Sequence, residues 1–144
     1  MIPKYSIAGD GGSLYLHESI SAENFRKHIY PHKELCIKTI NVAKRLGIEV
    51  KEKIVYCTDS IYCEYMHLED ILSLGSEVIE METAVFFRCM ELMGKEGIAL
   101  LCISDNSANK NSLIGRSEDD TNTFHEAREK DIPRLIMELA KKEV

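Results

Sequence analysis

The sequence has 144 residues, about the length of one domain, and its 44% hydrophobic and 29% charged residues are typical of a globular chain with its own core. The formal net charge of −6 argues against a protein that binds a nucleic-acid backbone and against a polybasic membrane-surface helix. No apolar run approaches the length of a membrane-spanning helix.

The cysteines and histidines indicate neither a disulfide framework nor a metal centre. Five cysteines, an odd number without a C-x-x-C pair, predict reduced and mostly buried thiols in a cytoplasmic protein. The first ten residues lack a basic stretch followed by an apolar one, so we expect no secretory signal. His28 and His32 have the spacing of two helical metal ligands, but Pro31 disfavours a helix between them, and we expect no metal site.

The first half of the chain is predicted to alternate between strands and helices. Residues 9–13 form a turn cluster, and residues 14–16 are predicted to be a short strand. An apolar stripe predicts a helix over residues 34–46, with Gly47 in the position of a helix-ending glycine. Residues 48–57 begin with strand-like alternation and end in an apolar run, which predicts a second strand.

The second half continues the alternation. A short helix is predicted over residues 68–74, and a short strand over residues 77–80. Residues 83–93 are apolar almost all round, which predicts a buried helix, and the unbroken apolar run 98–103 predicts a central strand covered on both faces. After a polar stretch, a final helix is predicted over residues 119–142, and Pro133 should kink or restart it.

This order of elements predicts one α/β domain over residues 1–144, a layered αβα fold with a largely parallel or mixed central sheet. Ligands of such sheets bind beyond the carboxyl ends of the strands. An acid follows three of the predicted strands, Asp59, Glu82 and Asp105, each 23 positions from the next. We therefore expect their side chains to meet at one sheet edge. For Asp59 alone, a helix cap is the simpler explanation.

The residues around two of these acids resemble a known family. The segment Glu80-Met81-Glu82-Thr83-Ala84 precedes the buried helix, and Ser104-Asp105 follows the predicted central strand. Residues 56–62 and the D-G-x-S segment at residues 10–13 lie upstream in the same order. This ordered set resembles the purine nucleoside phosphorylase, uridine phosphorylase and nucleosidase superfamily. The resemblance covers nearly all of the chain and corresponds to the C-terminal half of the family fold.

The resemblance implies cleavage of the N-glycosidic bond of a nucleoside through a transition state like an oxocarbenium ion. It assigns Glu82 to the ribose hydroxyls, where a carboxylate accepts hydrogen bonds and stabilises positive charge on the sugar. It places Met81 against the sugar or base, and it gives Glu80 a role in positioning the loop or the ribose.

The resemblance also implies an acid for the leaving base. Asp105 would protonate a departing purine at N7, which requires a raised pKa, and Ser104 would orient its loop. Tyr62 and Ile61 fall where the family contacts the nucleoside and base, although ordinary core packing is the alternative for both. The resemblance favours a purine over a pyrimidine nucleoside, since purine-cleaving members of the family carry Asp at this position, whereas the D-G-x-S segment resembles uridine-phosphorylase-like members.

The phosphate side of the site has no evident counterpart. In the family, the upstream half supplies a glycine-rich phosphate loop, arginines, and a histidine or arginine from a neighbouring subunit. Arg116 is the one candidate for an arginine after the Ser-Asp loop, but its spacing differs from the family pattern. The phosphate-binding residues are therefore unknown.

Three hypotheses remain open from the sequence. The first is a phosphorylase of the pentosyltransferase type in nucleoside salvage, with phosphate as co-substrate and no other cofactor. The second is a nucleosidase that uses water. The third is a truncated, non-catalytic module that binds a nucleoside or a partner chain. The expected partners are a nucleoside, phosphate and further copies of the chain in a homo-oligomer, with no nucleic acid and no membrane.

Overall fold

A computed structural model of the protein describes residues 1–107 and 117–141. The chain forms two compact units. The sheet unit contains Ile2–Cys36 and Lys51–Ala99, and the helical unit contains Met1, Ile37–Val50 and the described residues from Leu100 onward. Each unit is described by itself below. The single domain over residues 1–144 stays a prediction.

The sheet unit is built on four strands in the order β2-β1-β3-β4. Strands β1, β3 and β4 are parallel, and β2 runs antiparallel to β1 at one edge. In the register, Gly9 pairs with Thr58 and Cys57 pairs with Glu80, so the carboxyl ends of the three parallel strands meet at one edge. The strands are β1 (Ile2–Gly9), β2 (His28–Ile29), β3 (Glu52–Thr58) and β4 (Val78–Glu80).

In the chain, helices lie between these strands and after the last of them. A 3₁₀ turn, Ala22–Asn24, precedes β2, and a π-helical segment, Ala127–Asp131, joins the last two helices. The helices are α1 (Gly11–Tyr15), α2 (Lys33–Leu46), α3 (Ile61–Ser73), α4 (Thr83–Leu92), α5 (Glu118–Glu126) and α6 (Ile132–Leu139).

Helices cover both faces of the sheet. Since successive strand residues point to opposite faces, neighbouring residues of β1 and β3 contribute to different clusters. Ile7 and Tyr56 pack with Ile71 of α3. Ala8 and Cys57 pack with Phe87 of α4. The sheet unit therefore has a helix–sheet–helix arrangement, and the prediction of a layered α/β fold with a mixed sheet is confirmed.

The helical unit has its own apolar cluster. Val42 and Ala43 of α2 pack with Leu135 of α6, all three being buried. Gly47 ends α2 with a φ of +73°, the left-handed conformation that favours glycine after a helix. The helix boundary predicted at this glycine is thus confirmed.

Several predicted elements agree closely with the structure, and two differ in length. Helices α2 and α4 and strand β4 have the expected positions, each within one residue of the predicted bounds. Strand β3 begins at Glu52, four residues later than expected. Helix α3 begins at Ile61, seven residues earlier than expected, because the Ser60 hydroxyl caps it by accepting from the Tyr62 N–H at 3.1 Å.

Two predicted strands are wrong. Residues 14–16 lie in or directly after helix α1, because the Asp10 carboxylate caps this helix. Residues 98–103 form no strand in the described structure; the N–H of Leu101 donates to the Met1 carbonyl, and the Met1 amino group donates to the Leu101 carbonyl. Strand β1 was not predicted, since a proline, a lysine and a serine interrupt its apolar pattern.

Two helix predictions are correct in position but not in detail. Helix α4 buries only one side, since Ala84 and Phe87 are buried whereas Phe86 and Leu92 are exposed. The C-terminal helix is interrupted as expected, and Pro133 lies in the first turn of α6. Within residues 1–107 and 117–141, the structure has no helix long and apolar enough to span a membrane.

Candidate functional site

The turn between β4 and α4 is organised by the Glu80 carboxylate. One of its oxygens, Oε2, accepts from the N–H groups of Glu82 and Thr83, both at 2.8 Å. The other, Oε1, accepts from the Thr83 hydroxyl at 2.6 Å. The first N–H groups of a helix have no partner within the helix, so Glu80 acts as the cap of α4. Through these contacts Glu80 holds the turn, and its role toward a ribose stays a prediction.

The start of α4 is also tied to the central strand. The Thr83 hydroxyl lies 2.6 Å from the Ser6 hydroxyl of β1, and both residues are buried. Because Thr83 contacts Glu80 and Ser6 together, the beginning of the helix has little freedom relative to the sheet. Neither Ser6 nor Thr83 was identified from the sequence. The sequence signal for Thr83 was its position three residues after Glu80, which is the spacing of side chains in reciprocal helix-capping contacts.

The two residues between this cap and the helix remain open to solvent. Met81 is 44% exposed, and Glu82 is also exposed. Glu82 occupies the N-cap position of α4, yet its side chain makes no capping hydrogen bond. The helix dipole stabilises a negative charge at this position. The turn thus presents an anionic, hydrogen-bond-accepting side chain next to an apolar thioether.

The D-G-x-S segment has a structural role at the end of β1. Asp10 is buried, and its Oδ2 accepts from the Ser13 N–H at 2.7 Å while its Oδ1 accepts from the Ser13 hydroxyl at 2.8 Å. These contacts cap α1 and account for the spacing of the two residues.

Asp59 joins two loops at the carboxyl edge of the sheet. Its Oδ2 accepts from the Gly11 N–H at 2.8 Å, so the loop after β3 holds the first turn of α1. Asp59 therefore caps a helix, as the simpler explanation predicted. The helix that it caps is α1, whereas the helix that follows Asp59 in the chain is α3.

A buried thiol lies below the same edge. Cys57 is fully buried, and burial, followed by the nearby Glu80 carboxylate, raises its pKa far above the usual range. The group is a neutral thiol at physiological pH, which suits packing and not nucleophilic attack.

Ile61 and Tyr62 form the first turn of α3, directly after the Ser60 cap. They are 47% and 77% exposed. Ordinary core packing, the alternative explanation for both residues, is therefore wrong. Their side chains are free to contact a ligand.

The remaining predicted site residues do not belong to the described part of the sheet unit. Ser104 and Asp105 belong to the helical unit, where the Ser104 hydroxyl donates to Asp105 Oδ1 at 2.7 Å and both residues are partly buried. Arg116 lies outside the described residues. Within residues 1–107 and 117–141, no three His, Cys, Asp or Glu side chains come together in a group that could hold a metal ion.

A comparison with protein families identifies the chain's relatives. The sequence model of the phosphorylase superfamily matches residues 1–140. The chain belongs to the phosphorylase superfamily. The resemblance read from the segments around Glu82 and Asp105 is thereby confirmed at the level of the family.

Solved structures of this superfamily's fold agree with the architecture. A Campylobacter jejuni 5′-methylthioadenosine/S-adenosyl homocysteine nucleosidase matches with a TM-score of 0.72 and 17% identity over 99% of this chain and 60% of its own. A P knowlesi homologue of P falciparum PNP matches with a TM-score of 0.66 and 16% identity over 95% of this chain and 54% of its own. Futalosine hydrolase of Helicobacter pylori matches with a TM-score of 0.65 and 19% identity over 95% of this chain and 58% of its own.

At these identities the likeness concerns the fold alone. The chain spans between about half and three fifths of the length of these phosphorylase-superfamily structures. Both phosphorolytic and hydrolytic proteins are among them by name.

Proposed function

We propose that this chain carries the ribose and base side of a site that cleaves the N-glycosidic bond of a nucleoside, with a purine as the base. The observation that carries the proposal is the Glu80–Thr83 turn of a phosphorylase-superfamily member. There Glu80 uses its oxygens to fix the backbone, while Glu82 and Met81 stay exposed and free for a ligand.

In the proposed reaction, the C1′–N bond breaks and its electron pair leaves with the base. Glu82 accepts hydrogen bonds from the ribose hydroxyls, and its charge stabilises the cationic sugar. Met81 packs against the sugar or base, and Ile61 and Tyr62 contact the nucleoside. Asp105, oriented by Ser104, donates a proton to N7 of the purine. A phosphate oxygen then bonds to C1′, which gives free base and ribose 1-phosphate.

Hydrolysis is the second candidate, in which a water oxygen bonds to C1′ and ribose is released. Its support is that two of the solved structures that share the fold are a nucleosidase and a hydrolase. A third candidate is a module that binds a nucleoside without cleaving it.

The test is an assay of inosine, adenosine and uridine cleavage with and without phosphate, with free base separated by chromatography. Base released only with phosphate supports the phosphorylase, and base released without phosphate supports the hydrolase. Nucleoside binding by calorimetry without release of base supports the binding module. If the experiments detect neither release of base nor binding of a nucleoside, the proposal as a whole is contradicted.

Two variants test the assigned residues. Glu82→Gln should lower both kcat and kcat/KM, because the lost charge acts in the transition state. Asp105→Asn should lower purine nucleoside cleavage by roughly 10²-fold or more and pyrimidine cleavage by less. Glu69→Gln, an exposed carboxylate change on α3, is the matched control and should leave the rates unchanged.

We further propose that the protein is a cytoplasmic homo-oligomer. All five cysteines are free thiols, as a reducing compartment would keep them. Helix α3 exposes a group of large apolar side chains, and burial of such a group favours association. The group consists of Tyr65 and Met66. Light scattering at micromolar concentration should give the mass of two or more chains, and a monodisperse monomer would contradict the proposal.

A further inference from the structure

The sheet unit contains a concave region whose lining does not include the Glu80–Glu82 turn. It is a cavity of about 570 Å³ between β2, the segment that follows it, and the second half of α4. Helix α4 presents Glu82 at its N-terminal end, whereas the cavity contacts its later residues, including Arg88 and Glu91. We call this region the basic cavity.

The charge of the basic cavity is opposite to that of the chain. Four permanent cations line it, against one lining carboxylate, that of Glu91, although the whole chain carries a net charge of −6. The cations are Lys27, Lys33, Arg88 and Lys95. Three histidines also line it: His17, His28 and His32. Such a concentration of positive charge in a concave, partly apolar surface attracts anions.

The arginine in this cavity is held in place by its own neighbours. Arg88 Nε donates to the Leu16 carbonyl at 3.2 Å, and its Nη1 donates to Glu91 Oε2 at 2.6 Å. Its side chain is only 17% exposed. The guanidinium has five N–H donors, and these two contacts fix its plane while leaving others for a ligand. The carboxylate of the cavity is therefore already engaged with Arg88.

His17 supplies the polar atom that points most directly to a ligand. Its Nε2 is buried, and within residues 1–107 and 117–141 it has no hydrogen-bond partner. A buried polar nitrogen without a partner costs free energy, and a ligand oxygen would satisfy it. Burial, followed by the charges of Arg88 and Lys27, lowers the pKa of His17, while Glu91 opposes this effect. The neutral ring can therefore donate one N–H without adding charge.

Two further groups complete the polar side of the cavity. Lys27 is oriented by Asn24, whose Oδ1 accepts from Nζ at 2.6 Å. His32 Nδ1 accepts from the Leu35 N–H at 3.3 Å, and its Nε2 lies 3.8 Å from Glu96 Oε1. The apolar side consists of Ile29, Phe87 and Met90.

We propose that the basic cavity binds a small phosphate monoester. The phosphoryl oxygens accept hydrogen bonds from His17 Nε2, Arg88 and Lys27, and the organic part of the ligand packs on Ile29, Phe87 and Met90. A doubly charged phosphoryl group matches the excess of cations, because charge-assisted hydrogen bonds to phosphate are strong. The volume is several times that of a phosphate ion, so the ligand has a body as well as a charged end. None of the residues that line the basic cavity is among the residues proposed to bind the nucleoside.

The test is isothermal titration calorimetry with phenyl phosphate, a monoester with an apolar planar body. We expect saturable binding with one site per chain and weaker binding of inorganic phosphate to the same site. Phenol, which has the body without the charge, should not compete. Absence of saturable binding of phenyl phosphate at millimolar concentration would overturn the proposal, as would equal competition by phenol.

Variants locate the binding site. His17→Gln and Lys27→Met should each weaken phenyl phosphate binding by about tenfold or more, since each removes one contact to the phosphoryl group. Lys44→Met on α2 and His67→Gln on α3 are controls that change exposed residues outside the cavity, and binding should be unchanged. Lys27 is itself exposed, so Lys27→Met keeps the test valid if His17→Gln fails to fold. Binding unaffected by either cavity variant would overturn the assignment.

A proton-linked readout separates binding at His17 from a merely structural effect. A bound phosphoryl group should raise the pKa of His17 against the lowering by Arg88 and Lys27. A phosphate monoester, with a second pKa of about 6, releases protons when it binds as the dianion, so near pH 6 the net uptake of protons should be larger in the wild type than in His17→Gln. Calorimetry in two buffers of different ionisation enthalpy measures this uptake, and His17→Gln should reduce it. A net uptake that is the same in the wild type and in His17→Gln would contradict a contact at His17.

Discussion

Glu80 offers the sharpest test of how the candidate site is held, because its carboxylate and that of Glu82 are two residues apart and have different surroundings. Glu80→Ala removes the acceptor of two backbone N–H groups and of the Thr83 hydroxyl. Losing a helix cap costs about 1 kcal/mol, and hydrogen bonds to a charged group contribute about 1.5–3 kcal/mol. Thr83 keeps its contact with Ser6, so we expect a loss of about 2 kcal/mol.

That loss corresponds to a fall in Tm of roughly 6–8 °C for a chain of this length. Urea unfolding followed by far-UV circular dichroism measures the free energy of unfolding directly. Glu82→Ala is the matched control: its side chain makes no capping hydrogen bond, so the expected change is within about 0.5 kcal/mol. Glu80→Gln, which keeps one acceptor oxygen, should fall between the two. Equal losses in Glu80→Ala and Glu82→Ala would refute the capping role of Glu80.

Three further predictions concern the sheet unit. Gly9→Ala should lower the free energy of unfolding in urea by about 1–3 kcal/mol, because the new Cβ would collide with Oη and the ring of the buried Tyr56. An unchanged free energy of unfolding would contradict this packing. Thr83→Val should lower the free energy of unfolding by about 1–3 kcal/mol in the same measurement, because the Ser6 hydroxyl and the Glu80 carboxylate lose their hydrogen bonds with Thr83. An unchanged free energy of unfolding would contradict this hydrogen-bond network. Glu77 has a pKa lowered from 4.5, chiefly by the hydrogen bond from the ammonium group of Lys53. Its stabilisation is therefore present above pH 4.5 and lost as the pH falls through the lower native pKa. Glu77→Gln should consequently lose less stability than the wild type between about pH 5 and 3, and parallel acid-unfolding curves would refute this.

Much of the fold could be predicted because local patterns govern it. The apolar stripe of α2 and the glycine that ends it lie close together in sequence, and the structure has both where they were expected. Strand β1 could not be predicted from the same kind of pattern. Its polar Ser6 is buried because the Thr83 hydroxyl, 77 residues away, hydrogen-bonds to it. Only a partner brought in by the fold makes that serine compatible with a central strand.

In the candidate site, too, some features follow from the local sequence and others depend on partners distant in the chain. The sequence by itself determined the family and pointed to the turn that contains Met81 and Glu82. An ordered set of short segments can be recognised in a sequence without knowledge of the tertiary structure. Only the tertiary structure decided how the acids at this edge differ. The carboxylates of Glu80 and Asp59 accept hydrogen bonds from backbone N–H groups, whereas Glu82 remains exposed. The physical reason is that identical carboxylates acquire their roles from the hydrogen-bond donors that face them, and those donors come from elements distant in the chain.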